Sequence, residues 1–184
     1  ATPTPAFAST KSFTFDGSTD YIDCGDNDNL SFGDGVTDSP FSISAWIKMV
    51  DEIRFKIVAK HGSNQEYQFV THGGGGLGLW LYDNSTGGSI AGYGGSLNAY
   101  LNTWIHVCIT YNGNNAASGT KGYLNGSLIT PWYNANAGTY TAMENTSQPV
   151  EIGKEGIYYA DGNIDEVSIF NTELTQANIT SIYN

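Results

Sequence analysis

Basic residues are scarce in this chain. Seven lysines and arginines stand against 18 acidic residues, which gives a formal net charge of −11. A protein that binds nucleic acid needs a basic stripe to displace the counterions of the phosphate backbone. Lys48, Arg54, Lys56 and Lys60 do not form such a stripe with aromatic residues between them. We therefore expect neither a nucleic acid nor an anionic membrane surface as a partner.

Long apolar runs are missing as well. A bilayer-spanning helix needs roughly 20 mostly apolar residues. The most apolar stretch, residues 104–111, is shorter than this and is interrupted by His106 and Thr110. The chain is therefore predicted not to insert into a membrane.

The N-terminus lacks the pattern of a signal peptide. Residues 1–11 contain Pro3 and Pro5 among small residues, without a cationic region followed by an apolar one. This composition is typical of a linker. Residues 12–184 have the length of one compact domain, so a single domain is predicted after the linker.

Cysteine is rare, since Cys24 and Cys108 are the two in the chain. Two cysteines do not make a disulfide framework of the kind that stabilises small secreted folds. Cys108 lies within an apolar strand pattern. A buried free thiol is predicted there rather than a bridge to Cys24.

Helical periodicity is almost absent, and short alternating runs separated by Gly, Asn, Asp and Ser take its place. This pattern is typical of an antiparallel β protein. Ten strands are predicted: 12–15, 21–24, 41–49, 56–60, 67–71, 77–82, 103–111, 121–124, 150–152 and 163–170. In the run 41–49 the odd-numbered residues are all apolar, so one strand face is predicted to lie in a core. Two such sheets packed face to face form an all-β jelly-roll sandwich.

Local signals predict the turns and one helix. Tight hairpin turns are expected at Asp16-Gly17, Asn112-Gly113 and Asn125-Gly126, because these pairs tolerate positive φ. Near the C-terminus, Thr175 is a candidate cap for a short helix that carries Ile179 and Ile182 on one face. We expect this helix to close one end of the sandwich.

Five groups of motifs occur in a recognisable order. They are FTFDG at 13–17 with DYI at 20–22, FSISAWI at 41–47, WIHV at 104–107 with Thr110-Tyr111, YLNG at 123–126, and GNIDEV at 162–167 with Phe170-Asn171 and Leu174. In this order they resemble the laminin-G-like jelly-roll family of the concanavalin A-like lectin/glucanase superfamily. The resemblance covers roughly residues 12–183. It implies a two-sheet antiparallel jelly roll.

The resemblance also implies a structural cation that ties the N-terminal strand to the last long strand. The matching residues here are Asp16, Gly17 and Asp165. A carboxylate and the backbone carbonyls of a turn are suitable calcium ligands. The alternative is that Asp16 makes an Asx turn and Asp165 accepts backbone hydrogen bonds.

Catalytic patterns are not found. Hydrolases on related sandwiches place two carboxylates on alternate residues of one strand. Glu151 and Glu155 flank Gly153 and Lys154 without an intervening aspartate, and the adjacent Asp165-Glu166 would point to opposite faces. The three histidines have no zinc-like spacing to another ligand, and no Gly-x-Ser-x-Gly motif occurs. The chain is predicted not to be an enzyme, and a glycoside hydrolase or polysaccharide lyase is the less favoured hypothesis.

Aromatic and amide side chains predict a binding function. The chain has 12 Tyr and 4 Trp, and rings of this kind stack on the C–H faces of sugars. Trp80, Tyr82 and Tyr93 are weaker candidates, since Trp80 alternates with leucines in a strand. The predicted ligand-binding residues, expected in loops, are Trp132, Tyr133, Tyr158, Tyr159 and Asp161.

Two functional hypotheses remain open from the sequence. The first is a non-catalytic carbohydrate-binding or adhesion module, extracellular or displayed on a cell or virion surface, whose partner is a glycan or glycoconjugate. The second is a structural display or decoration domain of a phage or larger assembly that contacts other protein subunits. The acidic, lysine-poor surface suits both.

Overall fold

The computed structural model describes residues 11–53 and 55–184. Residues 1–10 of the predicted linker lie outside the described residues. The strands are β1 Phe13–Asp16, β2 Ile22–Asp23, β3 Phe41–Met49, β4 Lys56–His61, β5 Gln65–Thr71, β6 Leu77–Asp83, β7 Gly88–Gly94, β8 Ile105–Tyr111, β9 Thr120–Leu124, β10 Ser127–Leu128, β11 Trp132–Ala137, β12 Glu151–Ile152, β13 Lys154–Glu155, β14 Tyr158–Tyr159 and β15 Asp161–Phe170. One α-helix, α1, spans Gln176–Tyr183, and short 3-10 helices span Asp28–Leu30, Asn98–Tyr100 and Ala117–Gly119.

The strands form two large antiparallel sheets. The six-stranded sheet has the order β1-β15-β3-β8-β9-β10, and the seven-stranded sheet has the order β11-β7-β6-β5-β4-β12-β2. The pair β13-β14 forms a separate hairpin. This arrangement confirms the predicted all-β, two-sheet antiparallel jelly-roll sandwich with a short C-terminal helix.

The core lies between the two sheets, as the alternation in β3 predicts. All odd-numbered residues of β3 from Phe41 to Met49 are completely buried. They pair with the apolar residues of β8, where Ile43 lies opposite Ile109 and Ile47 opposite Ile105. Directly opposed side chains share a sheet face, so the two strands supply one continuous apolar surface.

The Asn125-Gly126 turn forms as predicted. Asn125 has a φ of 48° and Gly126 a φ of 74°, and the strands on either side pair Leu124 with Ser127. Two central residues with positive φ are what a two-residue hairpin of the primed type requires.

Two strands of the seven-stranded sheet, β7 and β11, are missing from the sequence prediction. β7 is rich in glycine, and β11 alternates alanine with asparagine instead of larger apolar residues with polar ones. The glycines of β7 permit close packing, because a Cβ on Gly92 would lie 1.9 Å from Thr120 Oγ1 and 2.4 Å from Trp132 Nε1. Glycine lowers strand propensity, so tertiary packing decides this segment rather than its own sequence.

The C-terminal helix begins at the predicted cap but packs elsewhere than expected. Thr175 and Asn178 form a reciprocal capping box at the N-terminus of α1. Ile179 is completely buried in a cluster with Cys108, Tyr123 and Leu174. Cys108 and Tyr123 lie on β8 and β9, on the side opposite the core. The helix therefore covers the outer face of the six-stranded sheet instead of one end of the sandwich.

This second cluster also confirms the free thiol predicted for Cys108. Both cysteines are free, with Cys108 buried and Cys24 exposed. Burial raises the pKa of the Cys108 thiol to about 12, so it is protonated at neutral pH. No helix in the described part of the chain is long and apolar enough to cross a membrane.

His106 is buried on the same outer face. Its Nε2 lies 2.7 Å from Ser44 Oγ, and its ring packs against Trp46 and Tyr183, with centroid distances of 5.5 and 5.9 Å. Burial lowers the pKa of His106 from 6.5 to about 4. The folded protein thus holds this imidazole neutral in a range where the unfolded chain protonates it.

Acidification should therefore destabilise the fold through His106. Its folded pKa is depressed, so its contribution is fully present above pH 6.5 and is lost as the pH falls towards about 4. The loss should reach roughly 3 kcal/mol at the acid end of that window. Urea unfolding of the wild type and of His106→Gln at pH 7 and at about pH 4 would measure it. Equal losses in the two proteins would contradict this role of His106.

Candidate functional site

The two outer faces of the sandwich differ in what covers them. α1 and the segment before it pack on the six-stranded sheet. On the seven-stranded sheet, the odd-numbered leucines of β6 are completely buried. Successive side chains of a strand alternate, so Gly78, Trp80 and Tyr82 lie on the outer face. Trp80 and Tyr82 are half-buried and thus partly accessible there.

Three aromatic rings from neighbouring strands lie side by side on this face. The register places Tyr133 of β11 opposite Tyr93 of β7, and Tyr93 opposite Gly78 of β6. The rings of Trp80 and Tyr93 have centroids 6.4 Å apart and planes within 7° of parallel. The centroids of Tyr93 and Tyr133 are 5.9 Å apart. We call Trp80, Tyr93 and Tyr133 the aromatic floor.

Gly78 leaves room for the Trp80 ring beside the sheet. A Cβ added to Gly78 would lie 2.3 Å from Cζ3 and 2.7 Å from Cη2 of Trp80, far inside contact distance. The indole therefore covers the backbone of Gly78, which is buried beneath it. Any larger residue at this position would lift or turn the ring.

His72 packs against the edge of the aromatic floor. Its ring meets Trp80 and Tyr93 nearly edge-on, at centroid distances of 6.2 and 5.0 Å. Burial lowers the pKa of His72, so its imidazole is neutral at pH 7. The contact is therefore a packing contact that limits movement of the two rings.

Polar groups lie at one end of the aromatic floor. Gln68 lies opposite Trp80 in the register, and its Nε2 donates a hydrogen bond to the hydroxyl of Tyr82. Its Oε1 is buried without a partner among the described residues. The His61 ring meets Tyr82 edge-on at 5.2 Å. We call Gln68, Tyr82 and His61 the polar end.

A row of aromatic rings beside amide and hydroxyl groups can hold a specific kind of ligand. Its rings can stack on a flat, C–H-rich face, while the polar end supplies hydrogen-bond donors and acceptors for hydroxyl groups. Tyr133 is 54% exposed, so the site is open at that side.

The structure brings three predicted ligand-binding residues together elsewhere. Tyr158, Tyr159 and Asp161 line an edge cavity of about 320 Å³ with Asp16 and Gly17. The sequence predicts a loop for Tyr158 and Tyr159. They belong instead to the β13–β14 hairpin. The same cavity is lined by Asp51, Ile53, Phe55 and Ile157.

The predicted cation ligands do not meet. Asp16 pairs with Asp161 of β15, whereas Asp165 lies four residues further along that strand and pairs with Trp46. Four residues of a strand span about 13 Å, too far for one cation to bind both carboxylates. In the described part of the chain, no group of three or more His, Cys, Asp or Glu side chains could hold a metal ion.

Each carboxylate of that predicted pair has a local role. Asp16 Oδ1 accepts hydrogen bonds from the backbone N–H groups of Ser18, Thr19 and Asp20. The bonds from Thr19, Ser18 and Asp20 hold the pKa of Asp16 well below its usual range. Asp165 Oδ1 accepts a hydrogen bond from the N–H of Glu166 at a β-bulge. The geometry is that of the Asx turn and backbone acceptor given above as the alternative.

The prediction for Trp132 was wrong about its position. Trp132 begins β11, and its Nε1 donates a hydrogen bond to Thr120 Oγ1 at 3.1 Å. A Cβ on Gly122 would lie 2.1 Å from Cζ3 of Trp132, and Gly122 pairs with the buried Ile109. The indole therefore packs against the core. Tyr133, the next residue, points to the outer face because adjacent strand residues alternate.

Trp80 and Tyr93 were weaker binding candidates in the sequence and not among the five predicted ligand-binding residues. The signal was present in β6, where Trp80 alternates with completely buried leucines and so must lie on the opposite face. Tyr93 lies between glycines, and no apolar alternation marks its strand. Its place beside Trp80 follows from the pairing of β6 with β7.

Solved structures show the same fold. The chain is 19% identical to the binding domain of Paraclostridial Mosquitocidal Protein 1, with a TM-score of 0.65, over 92% of this chain and 42% of that one. It is 20% identical to a structure of botulinum neurotoxin type C, with a TM-score of 0.60, over 92% of this chain and 41% of that one. Cell entry of that toxin depends on interaction with two ganglioside molecules. The chain thus spans less than half the length of these toxin structures.

A third similar structure has nearly the length of this chain. It is Domain 4 of AbnA, a GH43 extracellular arabinanase from Geobacillus stearothermophilus, in complex with arabinotriose. The identity is 18% and the TM-score 0.58, over 93% of this chain and 87% of that one. A family model, Laminin G 3, matches residues 16–180. The chain belongs to this laminin G family of the concanavalin A-like lectin/glucanases superfamily.

Proposed function

We propose that this chain is a lectin-like, carbohydrate-binding module whose aromatic floor is the binding surface. The observation that carries the proposal is the Trp80 ring over Gly78, parallel to the ring of Tyr93. Partly accessible rings aligned on one sheet face can stack on the C–H face of a sugar. The half-buried Tyr82 beside these rings carries a hydroxyl group that can take part in hydrogen bonds to a sugar.

The comparisons support a binding role on a surface that glycans can reach. A neurotoxin neighbour interacts with gangliosides, and the arabinanase domain holds arabinotriose. By analogy, this module acts outside the cell or on a cell or virion surface, attached to further protein.

The module itself is proposed to be non-catalytic. Two glutamates near the polar end are already bound to lysines: Glu151 Oε1 lies 2.6 Å from Lys154 Nζ, and Glu155 Oε2 lies 2.7 Å from Lys56 Nζ. A general acid must reach the glycosidic oxygen, whereas both of these carboxylates are engaged by lysine ammonium groups. Incubation with polysaccharides should therefore release no new reducing ends.

Glycan binding is tested most simply with Tyr133→Ala. Tyr133 is the most exposed ring of the aromatic floor and lies in an edge strand, so its loss should hardly change stability. An array of glycans identifies a ligand, and calorimetric titration then measures its Kd. We expect Tyr133→Ala to weaken binding about tenfold, since one stacking ring is lost.

Phe13→Ala is the matched control for this titration. Phe13 is 63% exposed on β1, in the other sheet, and its removal should leave the Kd unchanged. If the wild type binds no glycan and forms stable oligomers in light scattering, the protein-contact hypothesis replaces this one. If Phe13→Ala weakens binding as much as Tyr133→Ala, the aromatic floor is not the binding surface.

A further inference from the structure

The lysines of the seven-stranded sheet and of the β13–β14 hairpin are engaged by carboxylates. Lys56 has a side chain only 7% exposed and lies 2.7 Å from Glu155. Lys154, on the β13–β14 hairpin, lies 2.6 Å from Glu151. Lys60 is completely buried between Glu66 and Asp26. Thus every lysine that the described strands of the seven-stranded sheet and this hairpin contain has an acidic partner.

The histidines of this face add no positive charge at neutral pH. Burial lowers the pKa of His61 and that of His72. His61 Nδ1 lies 3.2 Å from Glu155 Oε1, so the same glutamate contacts both an imidazole and the Lys56 ammonium group. A ligand that binds here therefore finds no unpaired positive charge among these lysines and histidines.

Acidic groups next to the same hairpin add to this effect. Asp16, Asp51 and Asp161 line the edge cavity with Tyr158 and Tyr159, and the whole chain carries a net charge of −11. An anionic ligand approaching this side would be repelled, and no free lysine of the sheet would compensate for its desolvation.

We infer that the aromatic floor binds neutral glycans and discriminates against glycans that carry carboxylate or sulfate groups. This inference rests on the proposed glycan-binding function and specifies its ligand class. Stacking and hydrogen bonds to hydroxyl groups need no charge on the ligand. A carboxylate or sulfate would need a basic partner, and Glu155 already occupies Lys56. Repulsion between Glu155 and an acidic group of the glycan therefore favours neutral glycans over acidic ones.

The test is a glycan array that carries neutral, sialylated, uronic-acid and sulfated glycans. The best neutral glycan and a carboxylated counterpart of the same length are then titrated in about 50 mM and about 500 mM sodium chloride. We expect the acidic glycan to bind at least about tenfold more weakly at low salt, with a smaller difference at high salt. This inference is overturned if the acidic glycan binds as tightly as the neutral glycan or more tightly. If Tyr133→Ala abolishes that binding, the proposed function still holds. Binding of no glycan overturns both.

A pair of matched variants locates the discrimination. Glu155→Gln frees Lys56 beside the polar end, whereas Glu173→Gln frees Lys121 from an equally short contact of 2.7 Å on the opposite side of the sandwich. Both raise the net charge by one. Glu155→Gln should reduce the ratio of the Kd for the acidic glycan to the Kd for the neutral glycan several-fold. Glu173→Gln should leave this ratio unchanged. Thermal melts confirm that both variants are folded, and equal effects of the two contradict a local cause.

Discussion

Lys60→Met is expected to lower the free energy of unfolding by about 3–5 kcal/mol. Lys60 Nζ donates hydrogen bonds to Asp26 Oδ1 at 2.8 Å and to the carbonyl oxygens of Thr146 and Gln148 at 2.8 and 2.7 Å. It also lies 2.9 Å from Glu66 Oε1. The side chains of Lys60 and Glu66 are both completely buried. Removing the lysine leaves a buried carboxylate without its countercharge, and that desolvated charge is the main cost.

Urea denaturation with a matched surface variant tests this expectation. Lys121→Met removes a lysine from a pair with side chains 48% and 31% exposed, and it should cost less than about 1 kcal/mol. Adding Glu66→Gln to Lys60→Met should recover part of the loss, because the unpaired charge is then absent. If Lys60→Met and Lys121→Met lower the free energy of unfolding equally, the contacts of Lys60 do not anchor the segments around Asp26 and Thr146.

Gly78→Ala should abolish most of the glycan affinity although it adds a single methyl group outside the core. The new Cβ would collide with the Trp80 ring at 2.3 Å. A half-buried outer side chain can turn away at little cost in stability, but it then no longer lies parallel to Tyr93. We expect Gly78→Ala and Trp80→Ala to weaken binding by about thirtyfold or more, as for a central anchor of an interface.

Gly73→Ala is the matched control. It makes the same change in the turn after β5, where an added Cβ would meet nothing within 4 Å. Its Kd should equal that of the wild type. Calorimetric titration gives the affinities, and near-ultraviolet circular dichroism reports the environment of the tryptophan. Normal binding by Gly78→Ala would contradict the requirement for a Trp80 indole aligned with Tyr93.

The sequence predicts well those features that depend on local alternation or local chemistry. The apolar odd-numbered residues of β3 point into the core, and Thr175 caps the last helix with Asn178. Each of these is set by residues within a few positions of one another. Rules for strand periodicity and helix capping therefore suffice to find them.

Features that depend on long-range register are not predicted. Asp16 and Asp165 match the order of motifs, yet the pairing of β1 with β15 aligns Asp16 with Asp161 instead. The aromatic floor likewise needs β6, β7 and β11 to lie side by side. The glycines of β7 and the alternating alanines and asparagines of β11 are weak strand signals. A shift of one residue in β11 would exchange Trp132 and Tyr133 between core and surface.

The two outer faces of the sandwich thus have different roles. α1 packs over the face of the six-stranded sheet and buries Cys108 and His106. The face of the seven-stranded sheet keeps rings partly accessible, and Gly78 leaves room for the ring of Trp80. Burying one face stabilises the sandwich, while leaving the other open makes a binding surface available.

The indole N–H resonances of the four tryptophans give the most direct test of glycan binding by the aromatic floor. During titration with a glycan found on the array, the Trp80 resonance should shift, whereas those of the core-packed Trp132 and of Trp46 beside α1 should not. An unchanged Trp80 resonance at saturating glycan, with shifts confined to the backbone of Tyr158, Tyr159 and Asp161, would move the binding site to the edge cavity and contradict the account.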